Sequence, residues 1–142
     1  ARNAVMFGPG GRLYVYLIYG VHWCMNVSTG PTGYGAAVLL RAIEPRLGLD
    51  AMRARRGVRS DRDLARGPGR LTQALGVSDA HQNHPLSQKP MTLHRGQTRP
   101  TAVLATPRIG IRKAVETPWR FAVADSAFVS GPARLRQKRA FP

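Results

Sequence analysis

The stretch from Gly11 to Ser28, Gly-Arg-Leu-Tyr-Val-Tyr-Leu-Ile-Tyr-Gly-Val-His-Trp-Cys-Met-Asn-Val-Ser, limits what the chain can fold into more than any other. It alternates with a period of two, breaks at Tyr19-Gly20-Val21, and alternates again, the pattern of a β-hairpin with a glycine in its turn. A two-residue turn at Tyr19-Gly20 would place Tyr16 on the same face as Trp23 and Met25. A three-residue turn at Tyr19-Gly20-Val21 sorts the faces cleanly. Leu13, Val15, Leu17, Trp23, Met25 and Val27 then form an apolar wall, and Tyr14, Tyr16, Ile18, His22, Cys24 and Asn26 an aromatic-polar one. A one-residue slip would scramble the buried face, so the second register is expected, with Tyr19 at an exposed tip.

Charge sets the next constraint. Lys+Arg number 22 against 7 Asp+Glu, a net +15, and all the cations except Lys89, Lys113 and Lys138 are arginine. Arginine suits bidentate phosphate contact and base stacking better than lysine does. A polyanionic partner is expected, and nucleic acid is the commonest one. A membrane surface is disfavoured: there is no long amphipathic basic helix and no apolar run long enough to span a bilayer. A signal-peptide pattern is also missing.

Cys24 is the only cysteine. It cannot form an internal disulfide, and within a strand it reads as a buried thiol rather than a nucleophile. His81 and His84 are spaced like part of a metal site but lack Cys or acidic companions, so no metal is expected. An intracellular setting fits, cytoplasm or nucleoid in a bacterium and nucleus in a eukaryote, with the chain monomeric. The chain opens Ala-Arg-Asn without an initiator methionine, which reads as a piece of a longer protein.

Along the chain, residues 1–10 are a lead-in ending in a turn at Gly8-Pro9-Gly10, and Gly30-Pro31-Thr32-Gly33 is a second turn. Residues 36–43 read as a buried strand halted by Glu44-Pro45, with Arg41 as its one charge. Asp50 is expected to cap a cationic helix from Ala51 to about Arg56, followed by a helical turn at residues 61–65. A further helix opens after Pro68 and closes at Gly76, and its N-terminus beside Arg70 could hold a phosphate. Short strands are expected at residues 91–94, 101–105, 108–111 and 119–124. The fold class is α+β: one mixed domain over residues 1–132 with a curved antiparallel sheet, a protruding hairpin and short flanking helices. Residues 133–142 form a basic, flexible tail carrying Arg134, Arg136, Lys138 and Arg139.

Walker, dinucleotide, zinc-finger, kinase and hydrolase signatures are all lacking. What remains is an aromatic hairpin, an arginine in a neighbouring strand and a cationic surface, parts suited to holding a planar base beside a charged backbone. Several runs, in order, resemble the alkyladenine (3-methyladenine, N-methylpurine) DNA glycosylase family. They are Met6-Phe7, Leu13 to Gly20, Cys24-Met-Asn26, Ala37 to Pro45, Asp61-Arg-Asp-Leu64, Gly67-Pro68 through Leu75, Arg108-Ile-Gly110 and Pro118-Trp-Arg-Phe121. The likeness is collinear from Arg2 to about Ser130.

That resemblance implies a base-excision-repair enzyme that flips alkylated or deaminated purines from double-stranded DNA and hydrolyses the N-glycosidic bond without metal or cofactor. It implies that Tyr19 is a wedge filling the gap left by the extruded nucleotide, and that Tyr16 is a wall on which the flipped base stacks. Asn26 becomes a pocket-floor residue that disfavours guanine, with Leu39 in the same pocket. Arg41 becomes the catalytic-site arginine that helps position the water or the backbone, and the main chain at Ile109 and Gly110 closes the pocket. His22 and Arg70 join Tyr19 as DNA-binding residues. His22 and Ala37 differ from the residues common at their places.

The resemblance also implies that the family's water-activating glutamate, and the tyrosine and histidine that complete its aromatic pocket, lie upstream of Ala1. Loss of such a base removes on the order of 10²–10⁴-fold in rate. Glu44 is three residues from Arg41, so on a strand the two face opposite ways; Asp50, Asp61 and Asp63 fall in caps or charged loops. The alternatives are a catalytically impaired or truncated relative that only binds lesion-containing DNA, and a structural RNA-binding protein.

Overall fold

The structure, a computed structural model, describes residues 3–100 and 102–131. Helices and antiparallel sheets mix in it, as the α+β reading expects. The basic tail from Ala133 lies outside the described residues. Two compact units divide the chain, Ala1–Arg95 and Gly96–Pro142.

In the first unit, strands β1 (Leu13–Ile18) and β2 (His22–Ser28) pair antiparallel in the three-residue-turn register, from Leu13 opposite Val27 to Ile18 opposite His22. The apolar wall becomes core except at Leu17, which is only partly buried and stands outside the cluster. Leu13, Val15 and Met25 pack with Leu71, Ala74, Val77, Ala65 and Leu86, and Trp23, Val27 and Leu40 lie against that cluster. The far edge of β1 is covered by a loop rather than a strand: Leu13 N donates to His84 O, Asn83 N to Leu13 O, and Val15 N to Gln82 Oε1 at 2.7 Å. The Leu13 and Val15 donors on that edge are thereby satisfied without a further strand.

Strand β3 (Ala37–Leu39) pairs with β2, Asn26 opposite Leu39 and Ser28 opposite Ala37. It is much shorter than residues 36–43 and is not buried, since Val38 is 54% exposed. Apolar composition alone cannot distinguish a covered strand from a sheet edge; here Val38 stays more than half exposed. Leu40 still donates its N–H to Met25 O, and Ala42 bridges to Arg66.

Helix α1 (Leu49–Arg56) begins at Gly48 and ends at Gly57, both left-handed, at φ 69° and 64°. Asp50 is therefore not the cap. It sits in the first turn, where its carboxylate faces the helix dipole and pairs with Arg53 at 2.7 Å. Arg53 also holds Asp61 of α2 (Asp61–Leu64) at 2.6 Å, Arg56 Nε donates to Leu64 O, and Arg55 Nη1 donates to Ala74 O. The arginines of α1 thus serve as ties to its neighbours.

Helix α3 (Pro68–Leu75) follows its sequence signals, with Pro68 in the first turn and Gly76 left-handed behind its last residue. Leu71 and Ala74, three residues apart, turn one face to the hairpin's apolar wall. Thr72 Oγ1 donates to Trp23 O at 2.7 Å, joining helix and strand directly.

The second unit contains a two-stranded antiparallel sheet of β4 (Val103–Thr106) and β5 (Arg120–Val123). Leu104, Thr106 and Arg120 are buried, and Arg120 Nη1 donates to Thr106 Oγ1 at 2.9 Å while Nη2 donates to Ser130 O. Residues 91–94 and 108–111 do not form strands. Leu93 N instead donates to Leu86 O, and Gly110 at φ 73° breaks any extended run through Ile109.

Candidate nucleic-acid interface

The hairpin tip is a tight turn in which Val21 N donates to Ile18 O at 3.2 Å. Tyr19 and Gly20 both have positive φ, 53° and 68°, the sign pattern of the turns that match strand twist. For glycine that conformation is free, whereas a tyrosine there costs of order 1 kcal/mol. The result is a ring 85% exposed at the end of a core-anchored ribbon, with Val21 also exposed beside it.

His22 lies at the same end and packs on Gly69: a side chain built there would stand 3.1 Å from His22 Cβ. The first turn of α3 is therefore adjacent to the tip. Arg70, in that turn, is half-exposed and has Asp63 Oδ1 at 3.8 Å. Trp23, on the other wall, lines a cleft of about 580 Å³ together with Arg55, Thr72 and Gln73, but Arg55 and Gln73 there already bond each other and Ala74 O.

The aromatic-polar wall is more buried than its composition suggests. Tyr14, Cys24 and Asn26 are all nearly inaccessible, and the Tyr14 and Tyr16 rings lie 5.5 Å apart at a 34° tilt. Asn26 Nδ2 donates to Tyr14 O at 3.1 Å, which fixes the amide's orientation across the strand pair. Tyr16 stands opposite Cys24 and forms a side-chain hydrogen bond with it.

Arg41 joins this group from just beyond β3. Burial lowers its pKa from the usual arginine range, an effect partly offset by the Cys24 and Tyr16 side chains. Its Nε is buried and has no hydrogen-bond partner among the described residues. Burying such a donor unpaired costs about 1–3 kcal/mol, so it is a place for an acceptor that the described residues do not supply. Burial also raises the Cys24 pKa above 9.0, partly countered by the Tyr16 bond and by Arg41. The first unit therefore gathers Tyr16, Cys24, Asn26 and Arg41 on one wall, with Leu39 paired beside Asn26. The Cys24 contact was not legible in the sequence, where only the lone charge of Arg41 in an apolar run marked the place.

Ile109 and Gly110 belong to the second unit, where Ile109 packs on Gly131. The acids nearest in sequence stay out of the group. Glu44 pairs with Arg46, Asp50 and Asp61 with Arg53, and Asp63 with Arg66, all at partly or largely exposed positions. His81 closes a capping box with Ser78, and His84 Nε2 meets Gln88 O and Met91 O at 2.9 Å. Among the described residues no three His, Cys, Asp or Glu side chains cluster as metal ligands, and no helix is long and apolar enough to cross a membrane.

The sequence profile of a family described as methylpurine-DNA glycosylase matches residues 1–127. Among curated proteins, a relative from Rhodopseudomonas palustris strain CGA009 is 53% identical over 131 residues, covering 92% of this chain and 63% of its own length. One from Rhizobium meliloti is 54% identical over 130 residues, covering 92% and 68%, and one from Nitrosospira multiformis is 48% identical over 133 residues, covering 94% and 68%. Each is provisionally named a 3-methyladenine DNA glycosylase. The chain spans about two thirds of the length of these relatives.

Proposed function

This chain belongs to the methylpurine-DNA glycosylase family, and we propose from that premise that it carries the lesion-engaging part of a monofunctional purine DNA glycosylase of base-excision repair. The single observation behind this reading is the hairpin itself. Its strand ends are locked in the core, while its turn holds an aromatic ring 85% exposed in a left-handed backbone. A rigid ribbon ending in a flat side chain can enter a minor groove and take the place of an unstacked nucleotide.

The other residues follow from it. Tyr16, braced by Tyr14 and Cys24, offers a face for the extruded purine, with Asn26 and Leu39 at its floor. Arg41, held beside Tyr16 and Cys24 with its Nε buried, is the cation placed to meet an oxygen acceptor, either the attacking water or a phosphate. His22 and Arg70 meet phosphates beside the wedge, at the N-terminal turn of α3. In the reaction the bond from the sugar C1′ to the purine nitrogen breaks, water oxygen bonds to C1′ and loses a proton, and the base leaves with its bonding electrons, taking up a proton unless alkylation has already made it cationic. Damaged purines in duplex DNA are the substrates.

A second reading has its own support. Glu44, Asp50, Asp61 and Asp63 are all ion-paired with arginine away from Arg41, so this chain by itself would bind lesion DNA and cleave it poorly. One experiment decides. The chain in excess is incubated with a hypoxanthine-containing duplex, alkali then reveals strand breaks, and binding to an abasic-site duplex is measured in parallel. Breaks support the enzyme, binding without breaks supports the binding-only relative, and neither result overturns both.

A further inference from the structure

The second unit has a surface that the hairpin reading does not use. On β5, Phe121 and Val123 point outward, 59% and 46% exposed, and Trp119, one two-residue step earlier, is 63% exposed. Their cross-strand partners, Ala105 and Val103, are small or branched and lie opposite them without covering them. The Arg108 guanidinium stacks over the Trp119 ring, 5.3 Å from its centre, and donates through Nη2 to Lys113 O. Its Nε is buried with no hydrogen-bond partner among the described residues, so ring contact and one carbonyl hold the group in place. Arg112 and Lys113 follow directly in the chain.

We propose that the face formed by Trp119, Phe121 and Val123 with Arg108 is an accessory base-stacking surface for single-stranded DNA. Three features select that occupant. Phe121 and Val123, two residues apart on β5, are separated by about 6–7 Å, a spacing that successive bases of an extended single strand can match, and Trp119 sits just before the strand with Arg108 over its ring. An arginine over a tryptophan ring places a positive charge beside the stacking face for the backbone. The chain carries a net +15, which draws a polyanion rather than a second copy of itself. An exposed apolar stripe with no such partner would be a liability.

The sequence supplies the reporter. Its two tryptophans are Trp23 and Trp119, so Trp23→Phe leaves Trp119 as the sole indole. Titrating that variant with a twelve-residue oligothymidylate should quench Trp119 fluorescence in a saturable way, whereas an abasic oligodeoxyribose phosphate of equal length should not. Adding Phe121→Ala should weaken binding roughly five- to hundredfold, and Arg108→Ala should weaken it with a smaller salt slope. Tyr19→Ala should leave the quench unchanged, which separates this surface from the wedge. The idea is overturned if there is no quench, if the abasic polymer quenches equally, if Phe121→Ala has no effect in a chain with an unchanged circular dichroism spectrum, or if the protein self-associates through this face without DNA.

Discussion

Tyr19 holds φ at 53°, a region that β-carbon crowding makes costly, and its ring makes little contact that would recover the cost. That imbalance is informative, because the residue contributes little to stability and yet is the most projecting ring of the hairpin. Tyr19→Ala should leave thermal stability within about 0.5 kcal/mol while lowering affinity for an abasic-site duplex roughly tenfold or more. Unchanged affinity in a binding titration would remove the wedge from the account.

Cys24 makes the opposite case, a side chain whose chemistry is suppressed by its surroundings. Burial lifts its pKa above 9.0, so the fold favours the neutral thiol. The sign follows from linkage: the contribution is complete below the ordinary thiol pKa and is lost as pH rises through the folded one. Wild-type stability should therefore fall more steeply above about pH 9 than that of Cys24→Ala, as denaturant midpoints across pH would show. A neutral, covered thiol should also resist maleimide labelling until the chain unfolds.

At the scale of elements, the joint between α3 and the hairpin decides whether the tip has a rigid base. Leu71 is fully buried in the shared core and Thr72 bonds the Trp23 carbonyl. Leu71→Ala should cost about 2–5 kcal/mol through lost burial and a residual cavity. Because helix and hairpin share this core, circular dichroism and Trp23 fluorescence, read in a Trp119→Phe background, should report the loss in one transition; two separate transitions would show that the elements are not coupled. The same elements show how cationic charge divides. Arg53, Arg55 and Arg56 are tied to Asp61, Ala74 O and Leu64 O, so the helix that reads as a free basic surface is partly a set of internal clamps.

For the molecule as a whole, the proposed duplex binding by a chain of net +15 should depend strongly on salt. The slope of log K against log salt should be steep and negative, about −0.9 per phosphate neutralised. Arg70→Ala should reduce its magnitude by about one at most, since Asp63 already lies 3.8 Å from that guanidinium. Arg55→Ala, by contrast, should lower stability and leave the slope nearly unchanged, because its charge is engaged within the fold. If both variants changed the slope equally, the division between clamps and DNA contacts would be wrong.

The period-two alternation by itself determined the hairpin, its register and the wall that meets α3, because a slip of one residue would move every apolar side chain to the Tyr14–Asn26 wall at once. Pro68 and Gly76 did the same for α3, since local dihedral preference is written in those residue types. Only the tertiary structure decided the rest. It placed a loop rather than a strand along the edge of β1, left β3 short and half-exposed, and put the cap of α1 on Gly48 instead of Asp50. It also brought Arg41 to Cys24 and Tyr16, fifteen and more residues away in the chain, and turned Trp119 and Phe121 outward. These outcomes depend on which groups meet across long sequence separations, and hydrogen-bond and burial demands between distant segments leave no mark in local pattern.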